Sequence, residues 1–110
     1  MRVCFRSSIH PDRVKEYTRR HAEVWPEMLL ALGKTGWHNY SLFLSEDGQL
    51  IGYLECESFE TSLALMQLEE VNTRWQAHMS DLFDGDNPDR GFEVLPEVFN
   101  LERQLGAPYP

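Results

Sequence analysis

Basic residues are scarce in this chain: 10 lysines and arginines stand against 18 aspartates and glutamates, a formal charge of −8 over 110 residues. Nucleic acids and anionic membranes need a basic footprint, so neither is expected as a partner. Cysteines are few as well. Cys4 and Cys56 sit in apolar or alternating runs, away from any ligand-like cluster, and read as reduced core thiols. The four histidines, His10, His21, His38 and His78, are scattered without an HxxxH pair, so no metal site is expected. A glycine-rich phosphate loop, a GxSxG elbow and a dinucleotide fingerprint are all missing. No run is long enough to span a bilayer, and no apolar leader precedes Val3, so the expected setting is soluble and cytoplasmic. Acid–base chemistry on a neutral ligand remains, or no chemistry at all.

What is present is a patterned single domain, the size that 110 residues suit. Arg2 to Ser8 reads as a strand. His10-Pro11-Asp12 stops it and opens a helix whose inward residues are Val14, Tyr17, His21 and Val24. Pro26 has no N–H to donate and crowds the preceding turn, so a break is expected between Ala22 and Trp25, with a second helix over Glu27 to Lys34. Trp37 to Leu44 and Gln49 to Glu57 flank the turn signal Glu46-Asp47-Gly48 and form a hairpin. In its first strand His38, Tyr40, Leu42 and Leu44 are expected on one face, opposite Trp37, Asn39, Ser41 and Phe43. Both faces of the hairpin carry large apolar groups, so one should take the helices and the other a second subunit. Helices over Phe59 to Leu68 and Glu70 to Phe83 follow, then a polar loop, Asp84 to Arg90, a last strand, Glu97 to Leu101, and an unpatterned tail, Glu102 to Pro110. This order is the split βαβ of an α+β, ferredoxin-like βαββαβ fold: an antiparallel sheet with its helices on one face.

The segment with most chemical content is HPDRVKEYTRRHAEVWPE, residues 10 to 27. Tyr17, His21 and Trp25 recur every four residues and so stack along one helix face. Aromatic walls with a few placed polar groups suit a small polyol. His21 is the acid–base candidate, since imidazole titrates near neutrality, although a hydrogen-bonded histidine at a solvent edge has the same pattern. Tyr17 and Tyr40 are equally readable as half-buried tyrosines with satisfied hydroxyls, and Trp75 as a core residue on the stripe Val71, Trp75, Met79 and Leu82. Trp25 precedes the break at Pro26, which assigns it to packing there.

Four ordered motifs bear on these alternatives. Glu16-Tyr17-Thr18-Arg19-Arg20-His21 with Val24-Trp25-Pro26-Glu27 closely resembles the EYxxRHxxIWPE signature of the L-rhamnose mutarotases. His38-Asn39-Tyr40-Ser41, Arg74-Trp75 with Met79, and Glu97-Val98-Phe99 with Leu101 resemble further family motifs in the same order, so the likeness spans roughly Phe5 to Leu101. It implies a dimeric α/β barrel, a homodimer that interconverts the anomers of L-rhamnose, a monosaccharide, without a cofactor. By position it makes His21 the proton donor, and Tyr17, Tyr40 and Trp75 the sugar-contacting residues; Gln76 is expected to bind substrate as well, although it departs from the pattern. At position 76 the family usually carries a second tryptophan. Gln76 exchanges a stacking surface for hydrogen-bonding capacity and bears on which sugar is taken. Dimeric α/β-barrel monooxygenases or haem-binding proteins, and a non-catalytic dimeric module, are the competing readings.

Overall fold

The computed structural model describes residues 1–83 and 92–106. The expected loop Asp84 to Arg90 and the last residues of the tail lie outside them. Arg2–Ser8 forms β1, and a short 3-10 turn, Pro11–Arg13, leads into α1, Val14–Ala22. The chain then breaks before Pro26. Trp25 takes the extended conformation that a following proline favours (φ −54°, ψ 133°), and α2, Pro26–Lys34, starts on the proline itself, where a missing N–H costs nothing. The hairpin is β2, His38–Leu44, and β3, Gln49–Glu55, joined at Gly48. Gly48 has φ +91°, and a Cβ there would lie 2.1 Å from the Ile9 carbonyl oxygen, so both conformation and space demand glycine. Helix α3, Phe59–Gln67, is capped by the Ser58 hydroxyl, which accepts from the Thr61 N–H at 3.3 Å. Helix α4, Glu70–Met79, continues into a 3-10 turn, Ser80–Leu82.

The strands form one antiparallel sheet in the order β2-β3-β1-β4. This arrangement bears out the ferredoxin-like α+β expectation. Val3, Phe5 and Ser7 of β1 lie beside Leu54, Gly52 and Leu50 of β3, and this face carries the helices. Two apolar clusters fill the space between. One gathers Ile9, Tyr17, Met28, Leu50, Trp75 and Met79; the other gathers Val3, Phe5, Leu54 and Cys56. The opposite face presents Cys4, Arg6, Ile51, Tyr53 and Phe43, the last 61% exposed, with no helix packed over Phe43 among the described residues.

Three expectations need correction. The closing strand, β4, is Glu93–Leu95, paired with Cys4 to Arg6 of β1, and not Glu97 to Leu101. Similar runs, Phe92-Glu93-Val94-Leu95 and Glu97-Val98-Phe99, flank Pro96. Proline ends the ladder after the first, leaving Val98 93% exposed. The tail is also not patternless: Leu101–Leu105 is a short helix, α5, whose cap Asn100 accepts from the Arg103 N–H at 2.8 Å and whose end is Gly106 at φ +82°. Finally, His38 leaves the face of Tyr40, Leu42 and Leu44. It pairs with Glu55 while Ser41 pairs with Tyr53, three steps on β2 against two on β3, which is a bulge. Trp37, expected on the opposite face, packs against both apolar clusters instead.

Candidate active site

Between the sheet and the helices lies a cavity of about 600 Å³, within the range of small-molecule sites. Tyr17, His21, Tyr40, Trp75 and Gln76 all line it. They arrive from three elements. Helix α1 delivers Tyr17 and His21 one turn apart, their rings stacked with centroids 4.2 Å apart. Helix α4 delivers Trp75, which meets the His21 ring edge-on at 5.4 Å, and Gln76 beside it. Strand β2 delivers Tyr40. Trp25 stays outside, edge-on to Trp75 at 5.0 Å and beneath the Arg74 guanidinium, so it braces the back of the wall.

Geometry and burial together bear on the state of His21. Its Nδ1 lies 3.1 Å from the Tyr17 carbonyl oxygen, which can only accept, so Nδ1 carries a proton and Nε2 is the nitrogen left for a ligand. Burial pulls the imidazole below its ordinary value of 6.5, and the bond to Tyr17 offsets only part of that. At neutral pH His21 is therefore a neutral base whose open nitrogen is Nε2. Burial acts oppositely on the phenols. It raises both Tyr17 and Tyr40, so each remains a protonated donor through the physiological range.

Neighbouring ion pairs hold α1 in place. Arg20, adjacent to His21, bonds Glu16 at 2.9 Å on its own helix and reaches the His78 carbonyl at 2.6 Å and Asp81 at 3.1 Å. Those contacts lock the histidine helix onto the end of α4. The two guanidiniums of Arg19 and Arg20 hold the Glu16 carboxyl down to about 2, so the clamp stays charged well into acid.

Sequence reading missed Asn72, Trp37 and the aromatic end wall of Phe5, Phe59 and Phe92. Asn72 had a signal, since it lies one helical turn before Gln76. Its Oδ1 accepts from Gln76 Nε2 at 3.1 Å, and that single bond leaves each side chain further polar capacity, Asn72 as donor and Gln76 as acceptor. Phe92 had none, because only the return of the chain along β1 carries it to Phe5, 5.1 Å away. Among the described residues no group of three or more His, Cys, Asp or Glu side chains could hold a metal ion. No helix described is long and apolar enough to cross a membrane.

A sequence model of the family described as L-rhamnose mutarotase matches residues 2–101. An L-rhamnose mutarotase of Oceanobacillus iheyensis is 37% identical over 100 residues, covering 89% of this chain and 95% of that protein. One of Yersinia pestis is 40% identical over 105 residues, covering 93% and 99%. The crystal structure of an L-rhamnose mutarotase from Formosa agariphila superposes with a TM-score of 0.76 at 26% identity, over 93% of this chain and 99% of that one. A putative antibiotic biosynthesis monooxygenase from Nitrosomonas europaea superposes with a TM-score of 0.59 over 90% of this chain and 100% of that one, but at 11% identity it shares the fold alone. With its whole sheet and the histidine helix inside the matched span, this chain belongs to the L-rhamnose mutarotase family.

Proposed function

We propose that this chain interconverts the α and β anomers of L-rhamnose, or of a closely related aldose, by opening and closing the pyranose ring without a cofactor. The observation that carries the reading is the placement of His21: its Nδ1 is engaged by the Tyr17 carbonyl, which leaves Nε2 for a ligand, in an aromatic cavity that also holds the Tyr17 and Tyr40 phenols. Mutarotation needs a proton moved from the anomeric hydroxyl to the ring oxygen, and both oxygens are bonded to C1. His21 Nε2 takes the proton from O1, the C1–O1 bond becomes a carbonyl, the C1–O5 bond breaks, and the imidazolium gives the proton to O5. His21 is thus the proton donor to the ring oxygen after first being the acceptor. Rotation about C1–C2 and reversal of the steps close the other anomer. Tyr17 and Tyr40 donate to sugar oxygens, Trp75 packs on the apolar face of the ring, and the Gln76–Asn72 pair holds a further hydroxyl.

The protein acts as a homodimer in this reading. Phe43 on the uncovered sheet face, and Val98 and Phe99 beyond Pro96, are large apolar side chains left exposed, which a second copy of the chain would cover.

Saturation-transfer NMR on L-rhamnose, L-fucose and D-galactose tests the activity. Anomer exchange well above the buffer rate is expected for at least one of them, and His21→Ala should lower it by about two to four orders of magnitude with the fold intact. No exchange above buffer for any sugar overturns the proposal.

A further inference from the structure

The bulge in β2 has a defined cause and a defined product. Asn39 is the one non-glycine residue with positive φ among the described residues, at +48°. Side chains with a Cβ rarely take that conformation, and asparagine tolerates it better than most. Its amide is anchored: Nδ2 donates to Glu55 Oε2 at 2.8 Å, the same oxygen that accepts from the Tyr53 hydroxyl at 3.0 Å. The product is a change of face. Trp37 stands just before β2, its N–H bonded to the Leu32 carbonyl at 3.0 Å, and an unbroken extension of the strand back to it would put it on the side of the sheet opposite Tyr40. Here both line the cavity, with ring centroids 4.9 Å apart. Trp37 is fixed further by the Phe59 ring at 5.7 Å and by its indole N–H, which lies 3.4 Å from the Ser62 carbonyl. The Tyr40 phenol is thus held between Trp37 on one side and Phe5, at 6.3 Å, on the other.

We infer that Asn39 is a positioning residue of the sugar site: its left-handed backbone brings Trp37 round to the cavity face, and Trp37 in turn fixes where Tyr40 presents its hydroxyl. The inference rests on the proposed reading of the cavity as a sugar site, but its geometric half does not. Asn39 touches no substrate, since its side chain lies with Glu55 and Tyr53 on the far side of the sheet.

Two substitutions separate backbone from side chain. Asn39→Gly keeps access to positive φ and loses the bond to Glu55; Asn39→Val loses both. The first readout is fluorine NMR of protein labelled with fluorotyrosine, in which Tyr40→Phe identifies the Tyr40 line. Asn39→Val should move that line and Asn39→Gly should leave it in place, whether or not any sugar turns over. The second readout is anomer exchange. Asn39→Gly should stay within about twofold of the parent, and Asn39→Val should lose at least about tenfold, the scale of effect that misplacing a binding group produces. In a Tyr40→Phe background Asn39→Val should add little, because its effect passes through Tyr40. A folded Asn39→Val protein with an unmoved Tyr40 line overturns the inference, as does a loss as large without the phenol as with it. Absence of exchange in the parent protein overturns the sugar reading instead, and the fluorine line still judges the positioning.

Discussion

At the scale of single residues, the proposed chemistry turns on a nitrogen that the sequence leaves undefined. Spacing put His21 one turn after Tyr17, and the family resemblance made it a proton donor. Which proton it holds at rest depends on Nδ1 meeting the Tyr17 carbonyl and on burial lowering its affinity for a second proton. The pH dependence follows with its sign. In the proposed mechanism the reactive form is the neutral imidazole, so the enzymatic rate, after subtracting the buffer reaction, should be flat through neutrality and fall on acidification below the ordinary histidine value of 6.5. A rate that rose through that window would mean that the imidazolium is the starting form. The same shift bears on stability. The unfolded chain takes up a proton at this histidine before the folded one does, so the fold loses stability as pH drops from 6.5 toward the lowered value, and keeps it above. Tyr17, Tyr40 and Trp75 were nameable from the resemblance. Asn72 was not, although its place one turn before Gln76 was visible, because an asparagine within a helix is ordinarily a surface residue.

At the scale of elements, local signals served wherever the chain itself decides. Pro26 divides α1 from α2, and Asp47-Gly48 turns the hairpin, because backbone restrictions at proline and glycine act without distant partners. They misled where two segments competed for one partner. Glu93–Leu95 and Glu97 to Phe99 are similarly β-prone, and pairing with β1 on the near side of Pro96 decided between them. Gly52 shows the opposite case, a strand glycine whose role is tertiary. A Cβ there would lie 2.2 Å from the tip of the Phe5 ring, which is itself hemmed in by Phe92 and Tyr40. Gly52→Ala should therefore displace the Phe5 ring from the cavity wall and cost about 1 to 3 kcal/mol, the usual range for overpacking a core. Chemical denaturation measures the cost, and an unchanged midpoint would show that the ring yields freely.

For the whole molecule, the sheet face without helices is the main structural fact to be accounted for. Phe43 is 61% exposed there, and the arm beyond β4 carries Val98 and Phe99 at 93% and 60%. Light scattering should give twice the mass of a single chain, and Phe43→Asp should shift the protein toward monomer, because a charge buried at an apolar interface without a partner is costly. A monomeric parent protein would contradict the dimer reading. The sequence by itself determined the order of the elements as far as α4, the break before Pro26, the hairpin, the acidic character that discourages nucleic acid, and the family, since each rests on local backbone chemistry, on charge or on ordered motifs. Only the tertiary structure decided which strand closes the sheet, that Trp37 turns to the cavity side while His38 turns away, and that burial favours the neutral form of His21. Each of these depends on a partner far along the chain or on exclusion of water, and neither is written in the spacing of residues.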